Sequence, residues 1–157
     1  MTTNYLQMMI DSLKKKKDIL TRIIALNEEQ DKILSKPELD DNAFDANMKA
    51  KGDCIDELDR LDEGFQSLFN RVRDAINANK EMYANEISVM KRLITEVTEL
   101  GAKIEVQEAR NKVKVEAMFR RERQEHKEAK RSASMAKSYY QNMSKLSNEP
   151  QFMDTKQ

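Results

Sequence analysis

Leu6, Met9, Leu13, Leu20 and Ile23 recur at the spacing of a heptad seam, with Lys16 at one seam position. Ile10, Ile19, Ile24, Leu26, Ile33 and Leu34 widen the stripe. Residues three and four apart share a helix face, so this pattern predicts a first helix over about 3–35. Thr2 or Thr3 can cap its start. Pro37 ends it, because the proline ring disfavours helical geometry at Lys36. Asp40, Asp41 or Asn42 can then cap the next helix, whose positive dipole end favours carboxylates.

The second predicted helix, about 43–79, carries Phe44, Met48, Ile55, Leu58, Leu61, Phe65, Leu68, Val72 and Ile76. From Ile55 onward the steps are 3, 3, 4, 3, 4 and 4, which keep one face turned toward a partner. Gly52 and Gly64 lie inside it and either permit a close helix approach or are tolerated at about 1 kcal/mol each. Asn77 and Asn79 suit a cap at the turn that follows. Beyond it Tyr83, Ile87, Met90, Ile94, Val97, Gly101 and Ile104 step by 4, 3, 4, 3, 4 and 3, with Gly101 a thin or bendable point. Large apolar residues stop after Val115 and Phe119, but helix-favouring composition persists to about residue 143. A continuous third helix over 81–143 would span roughly 95 Å, beyond the roughly 50–55 Å of its neighbours. The expected fold is therefore all-α: an elongated antiparallel bundle of three long helices, the third overhanging or bending back near residue 108 or 131.

Composition supports this picture. The 157 residues hold only three glycines and two prolines, too few for a turn-rich sandwich or barrel. Lys and Arg number 28, as do Asp and Glu, yet the charge is unevenly spread. The first 64 residues are acidic on balance, whereas 110–137 holds ten basic residues against four acidic ones. The longest apolar run, Ile23 to Leu26, is far short of a membrane span of about 20 residues. No charged start with an apolar stretch and small-residue cleavage site is visible, so no export signal and no stable membrane insertion are expected. The lone Cys54 fits a reducing compartment, and the expected location is cytoplasmic.

Candidate chemistry is sparse. His126, the single histidine, lies among charges and lacks a second histidine for a common zinc site. No glycine-rich phosphate loop or nucleophile elbow is present. Carboxylate pairs such as Glu28 and Glu29 lack an apolar pocket that would shift a pKa. Cys54 reads as a small structural residue beside the Ile55 stripe. No catalytic site, metal or cofactor is therefore expected. The basic stretch 110–131 would suit phosphate contacts, but interspersed glutamates pair with it along the helix, so no nucleic acid is expected. Lys14 to Lys17 read as an outer, solvated run opposed by Asp11 and Asp18.

The C-terminal third carries the functional expectation. Ala129, Ala133, Ala136, Tyr140 and Met143 recur at 4, 3, 4 and 3, with Tyr139 adjoining them. Small residues and Met make an adaptable face that can lie in a partner's groove. The chain thus divides into a helical bundle, 1–128, and a partner-binding helix end with a mobile tail, 129–157. Packing of this face back onto its own bundle is the competing expectation.

The stretch Lys51-Gly52-Asp53-Cys54-Ile55-Asp56-Glu57-Leu58-Asp59-Arg60-Leu61-Asp62-Glu63-Gly64-Phe65, with Ser138-Tyr139-Tyr140 before Phe152-Met153-Asp154-Thr155-Lys156, resembles the FlgN-type flagellar export chaperones. The resemblance covers most of the chain. It implies a cytoplasmic, non-enzymatic, all-helical protein that binds the helical ends of hook-associated proteins and keeps them from assembling prematurely. It further implies delivery to the type III export gate, and related FliT-type chaperones do the same for the filament cap. Client or gate would then meet Ala129, Ala133, Ala136, Tyr139, Tyr140 and Met143, one of the tyrosines making the aromatic gate contact. A homodimer is compatible with this reading. The alternative is a coiled-coil scaffold protein that forms a homo-oligomer.

Overall fold

The computed structural model describes residues 1–122 and 128–143, and the side chains of 1–122 and 133–143. The chain is all-helical over these residues, in four helices: α1 (Thr2–Leu34), α2 (Asp41–Ala78), α3 (Ala84–Glu122) and α4 (Glu128–Met143). Their ends follow local chemistry. Met1 occupies the cap of α1 with no side-chain hydrogen bond, so neither Thr2 nor Thr3 serves as the cap. Ser35 closes that helix by donating its hydroxyl to the Asp31 carbonyl at 2.7 Å, ahead of Pro37. At the start of α2 the Asp40 carboxylate accepts from the Ala43 amide at 3.1 Å, satisfying one of the free amides of the first turn. Asn79 ends α2, its side-chain amide donating to the Ala75 carbonyl at 3.1 Å.

Side-chain bridges give the helix order. Arg71 reaches Tyr5 at 3.5 Å, Lys16 reaches Asp62 at 2.9 Å and Gln30 reaches Asn47 at 3.0 Å, so partners on α2 fall in number as α1 rises. Partners on α3 rise with α1: Lys17 with Glu96, Asn27 with Gln107, and Asp31 with Lys114. One core gathers Leu6, Met9, Leu13, Phe65, Val72, Met90 and Leu93 between α1, α2 and α3. The other runs from Ile19 and Ile23 through Leu58 and Ile104 to Phe44, Val115 and Phe119, and it takes in Ala136, Tyr139 and Met143 of α4. Phe44 meets Phe119 edge to face, with centroids 5.6 Å apart.

Three expectations need revision. The third stretch bends back, as one of the two expectations had it, but not at 108 or 131, which both lie within helices: α3 ends at Glu122 and a separate α4 packs on α2 and α3. The physical reason is that 120–132 offers no large apolar side chain to bury, whereas Ala136, Tyr139 and Met143 find a core when brought back. Lys16 is not on the outer face but buried against Asp62, as its seam position demands. The glycines do not mark close approaches, because a Cβ at Gly52, Gly64 or Gly101 would meet open space, and α3 runs unbroken through Gly101.

Candidate partner-docking site

The seam of each long helix passes through polar residues at one level. In α1 the steps from Leu6 continue through Ile23 to Asn27, Gln30 and Leu34. In α2 they pass Asn47, Lys51 and Cys54, and in α3 Ile104, Glu108, Asn111 and Val115. These six polar side chains are all buried; Lys51 is 0% and Glu108 5% exposed. They form a polar layer with apolar residues on both sides.

The layer is closely bonded. The Lys51 ammonium donates to Glu108 Oε1 at 2.8 Å and to Gln30 Oε1 at 3.2 Å. Gln30 donates to Asn47, and Asn47 to the Leu26 carbonyl at 2.9 Å. Asn111 donates to the Asn27 carbonyl at 3.0 Å. The fourth helix completes the set: the Tyr139 hydroxyl donates to Glu108 Oε2, and the Lys51 ammonium stands 4.1 Å above the Tyr139 ring. One phenol thus meets both members of an ion pair, one by its hydroxyl and the other by its face.

Burial sets the protonation. It pushes the Lys51 pKa below its ordinary value, against the pull of Glu108. Tyr139 is raised well above the usual phenol range, first by burial and then by the Glu108 charge. Tyr140 is raised too, by burial and then by Glu108 and Glu116. The Cys54 thiol is also raised by burial, with Arg22 opposing it. A phenol held neutral is a hydrogen-bond donor, as Tyr139 is to Glu108, and a thiol held protonated is a weak nucleophile. Among the described residues no group of three or more His, Cys, Asp or Glu side chains is gathered for a metal, and no helix is long and apolar enough to cross a membrane.

The residues expected to meet a partner divide unequally. Ala136, Tyr139 and Met143 are buried on the bundle, and Ala133 and Tyr140 are half-buried beside them. The side chain of Ala129, residue His126 and the tail 144–157 lie outside the described residues. A cleft of about 810 Å³ remains open between α3 and α4, lined by Val115, Phe119, Ala133, Ala136 and Tyr140 and rimmed by Lys112, Arg120 and Lys137. The Tyr140 hydroxyl at its edge is buried without a hydrogen-bond partner. Sequence reading missed Lys51, Glu108 and Gln30 because it followed apolar residues only; extending the 3/4 step would have found them.

No protein-family model matches this sequence, and neither the curated proteins nor the solved structures searched yield a match.

Proposed function

We propose that this chain is a flagellar-type export chaperone: a cytoplasmic, non-enzymatic antiparallel helix bundle that shields the helical end of a hook-associated or filament-cap protein and delivers it to the export gate. The observation that carries the reading is the seat of α4. A helix of 16 residues is held by a few buried side chains around an ion pair, with an open apolar cleft along one side. The paired charges regain hydration when such a seat opens, so its exposure is less costly than that of an apolar core of the same size. A client helix with an exposed apolar stripe can therefore take the place of α4, and α4 keeps the seat covered until then. The residues expected at the partner contact, Ala133, Ala136, Tyr139, Tyr140 and Met143, are the internal stand-ins for that client.

Titration calorimetry with the C-terminal segment of a hook-associated protein tests this. The full chain binds it with about 1:1 stoichiometry, and a chain ended at Glu122 that retains its helical circular dichroism binds it more tightly, having lost the competitor. No binding by either chain contradicts the proposal.

A second reading has one observation of its own. Val106 and Val113 are 52% and 65% exposed on the outer face of α3, in line with the exposed Ala102, Ala109 and Ala117. Such a stripe suits a scaffold that self-associates. Sedimentation velocity separates the two, since a scaffold oligomerises with concentration and loses this on Val113→Glu.

A further inference from the structure

Tyr139 of α4 hydrogen-bonds into the polar layer. Its hydroxyl satisfies the second oxygen of Glu108, the first being held by Lys51, while its ring covers the ammonium. An apolar helix laid on the same seat would fill the space but leave that carboxylate oxygen buried without a donor, so the full desolvation penalty of a charged group would be unrelieved. A site built to hold a hydroxyl rejects the isostere that lacks it far more strongly than an apolar pocket rejects a missing methylene. Tyr140, one residue on, does not make the same contact: its hydroxyl is buried without a hydrogen-bond partner.

Resting on the exchange of α4 proposed above, we infer that the Lys51–Glu108 pair is a specificity determinant: the seat accepts an incoming amphipathic helix that presents a tyrosine at the level of Tyr139, with a small residue three positions before it and a Met-sized residue four after. The template is α4, whose Ala136, Tyr139 and Met143 show the size each position takes. The ion pair is fixed from two different helices and braced by Gln30, so the acceptor is in place before the phenol arrives. Pre-organisation of this kind turns one hydroxyl into selectivity rather than into a uniform gain for every helix.

The probes are fluorescein-labelled synthetic peptides of residues 128–143 in the parent sequence and with Y139F or Y140F. The receptor is the full chain carrying Tyr139→Phe, whose own α4 then competes less well. By fluorescence anisotropy the parent peptide binds at least tenfold tighter than the Y139F peptide, and the Y140F peptide binds like the parent. In a receptor that also carries Lys51→Met with Glu108→Leu, the preference for the parent peptide is lost or reversed, because its phenol then meets no carboxylate. Equal affinities in the first receptor, or a preference that survives in the second, overturn the inference. So does failure of the parent peptide to bind at about 1 mM, the effective concentration a short linker gives a helix in cis. A hook-associated segment that fails to bind while the tyrosine preference holds removes the proposed client and leaves this selectivity standing.

Discussion

Replacing Lys51 by Met keeps the length of the side chain and deletes its charge. The ammonium is wholly buried, 2.8 Å from a carboxylate that is itself 5% exposed, so the variant leaves Glu108 in the core with Tyr139 as its remaining partner. Breaking a buried pair by removing one member costs about 3–5 kcal/mol, because the other charge is left uncompensated. Glu108→Leu strands the ammonium and costs a similar amount. The double variant strands neither charge, and an apolar replacement of a buried pair is often neutral or stabilising by about 1–4 kcal/mol, offset by about 1–3 kcal/mol for the Tyr139 hydroxyl and the Gln30 oxygen that lose their partners. The two substitutions therefore couple strongly, and each rescues the other. Urea unfolding followed by circular dichroism at 222 nm reads this directly. With a slope of about 2 kcal/mol/M, each single variant lowers the midpoint by about 1.5–2.5 M, and the double variant lies above either single. In heat the singles lose roughly 6–20 °C. Single variants within about 0.5 M of the parent would show that the layer is hydrated and does not behave as a buried pair. A double variant as unstable as the sum of its singles would show that the charges contribute independently.

Three further outcomes follow from the same structure. Leu58→Ala and Phe65→Ala each destabilise by about 2–5 kcal/mol, read as a fall in the urea midpoint, since both side chains are buried in the two cores. Gly64→Ala and Gly101→Ala each raise stability by up to about 1 kcal/mol in thermal melts, because the added methyl meets no atom within 4 Å and helix propensity improves. Alkaline pH weakens the fold: Tyr139 and Tyr140 hold their protons more tightly folded than unfolded, so the stability they contribute below pH 10.0 is lost as pH rises past that value. Lys51 acts in the opposite sense, adding stability as pH climbs from its lowered folded pKa toward 10.5. Midpoints measured from pH 8 to 11 should fall above pH 10, and the fall should flatten when both tyrosines are replaced by Phe.

Periodicity made the helices legible. Because burial in a bundle repeats every three or four positions, the apolar steps in α1 match its buried residues closely. Those in α2 leave Leu61, Leu68 and Ile76 half-buried, and those in α3 find Met90, Val97 and Ile104 but miss the buried Leu93. Pro37 and Asp40 marked the first connection through backbone geometry and capping, both local effects. The place of the reversal before α4 was illegible for the opposite reason: helix length alone raised it, but 120–132 has no Pro or Gly to mark a turn, and only tertiary packing of Tyr139 and Met143 decides that the chain comes back. The polar layer was hidden by residue type. Lys51 and Glu108 look like surface charges until the seam of each helix is extended through them and the two are found at one level. The choice between the tyrosines had the same origin, since steps of three and four from Ala136 reach Tyr139 and Tyr140 alike; the acceptor on α3 separates them.

At the centre of this account is a fourth helix that leaves its seat while the three long helices stay folded. Native-state amide hydrogen exchange measures that opening residue by residue. The amides of 128–143 should exchange through a local opening of much lower free energy than global unfolding, with little dependence on denaturant, while those around Ile23, Leu58 and Ile104 exchange only when the whole bundle unfolds. Protection of α4 equal to that of α1, α2 and α3, lost with them in one transition, would contradict it.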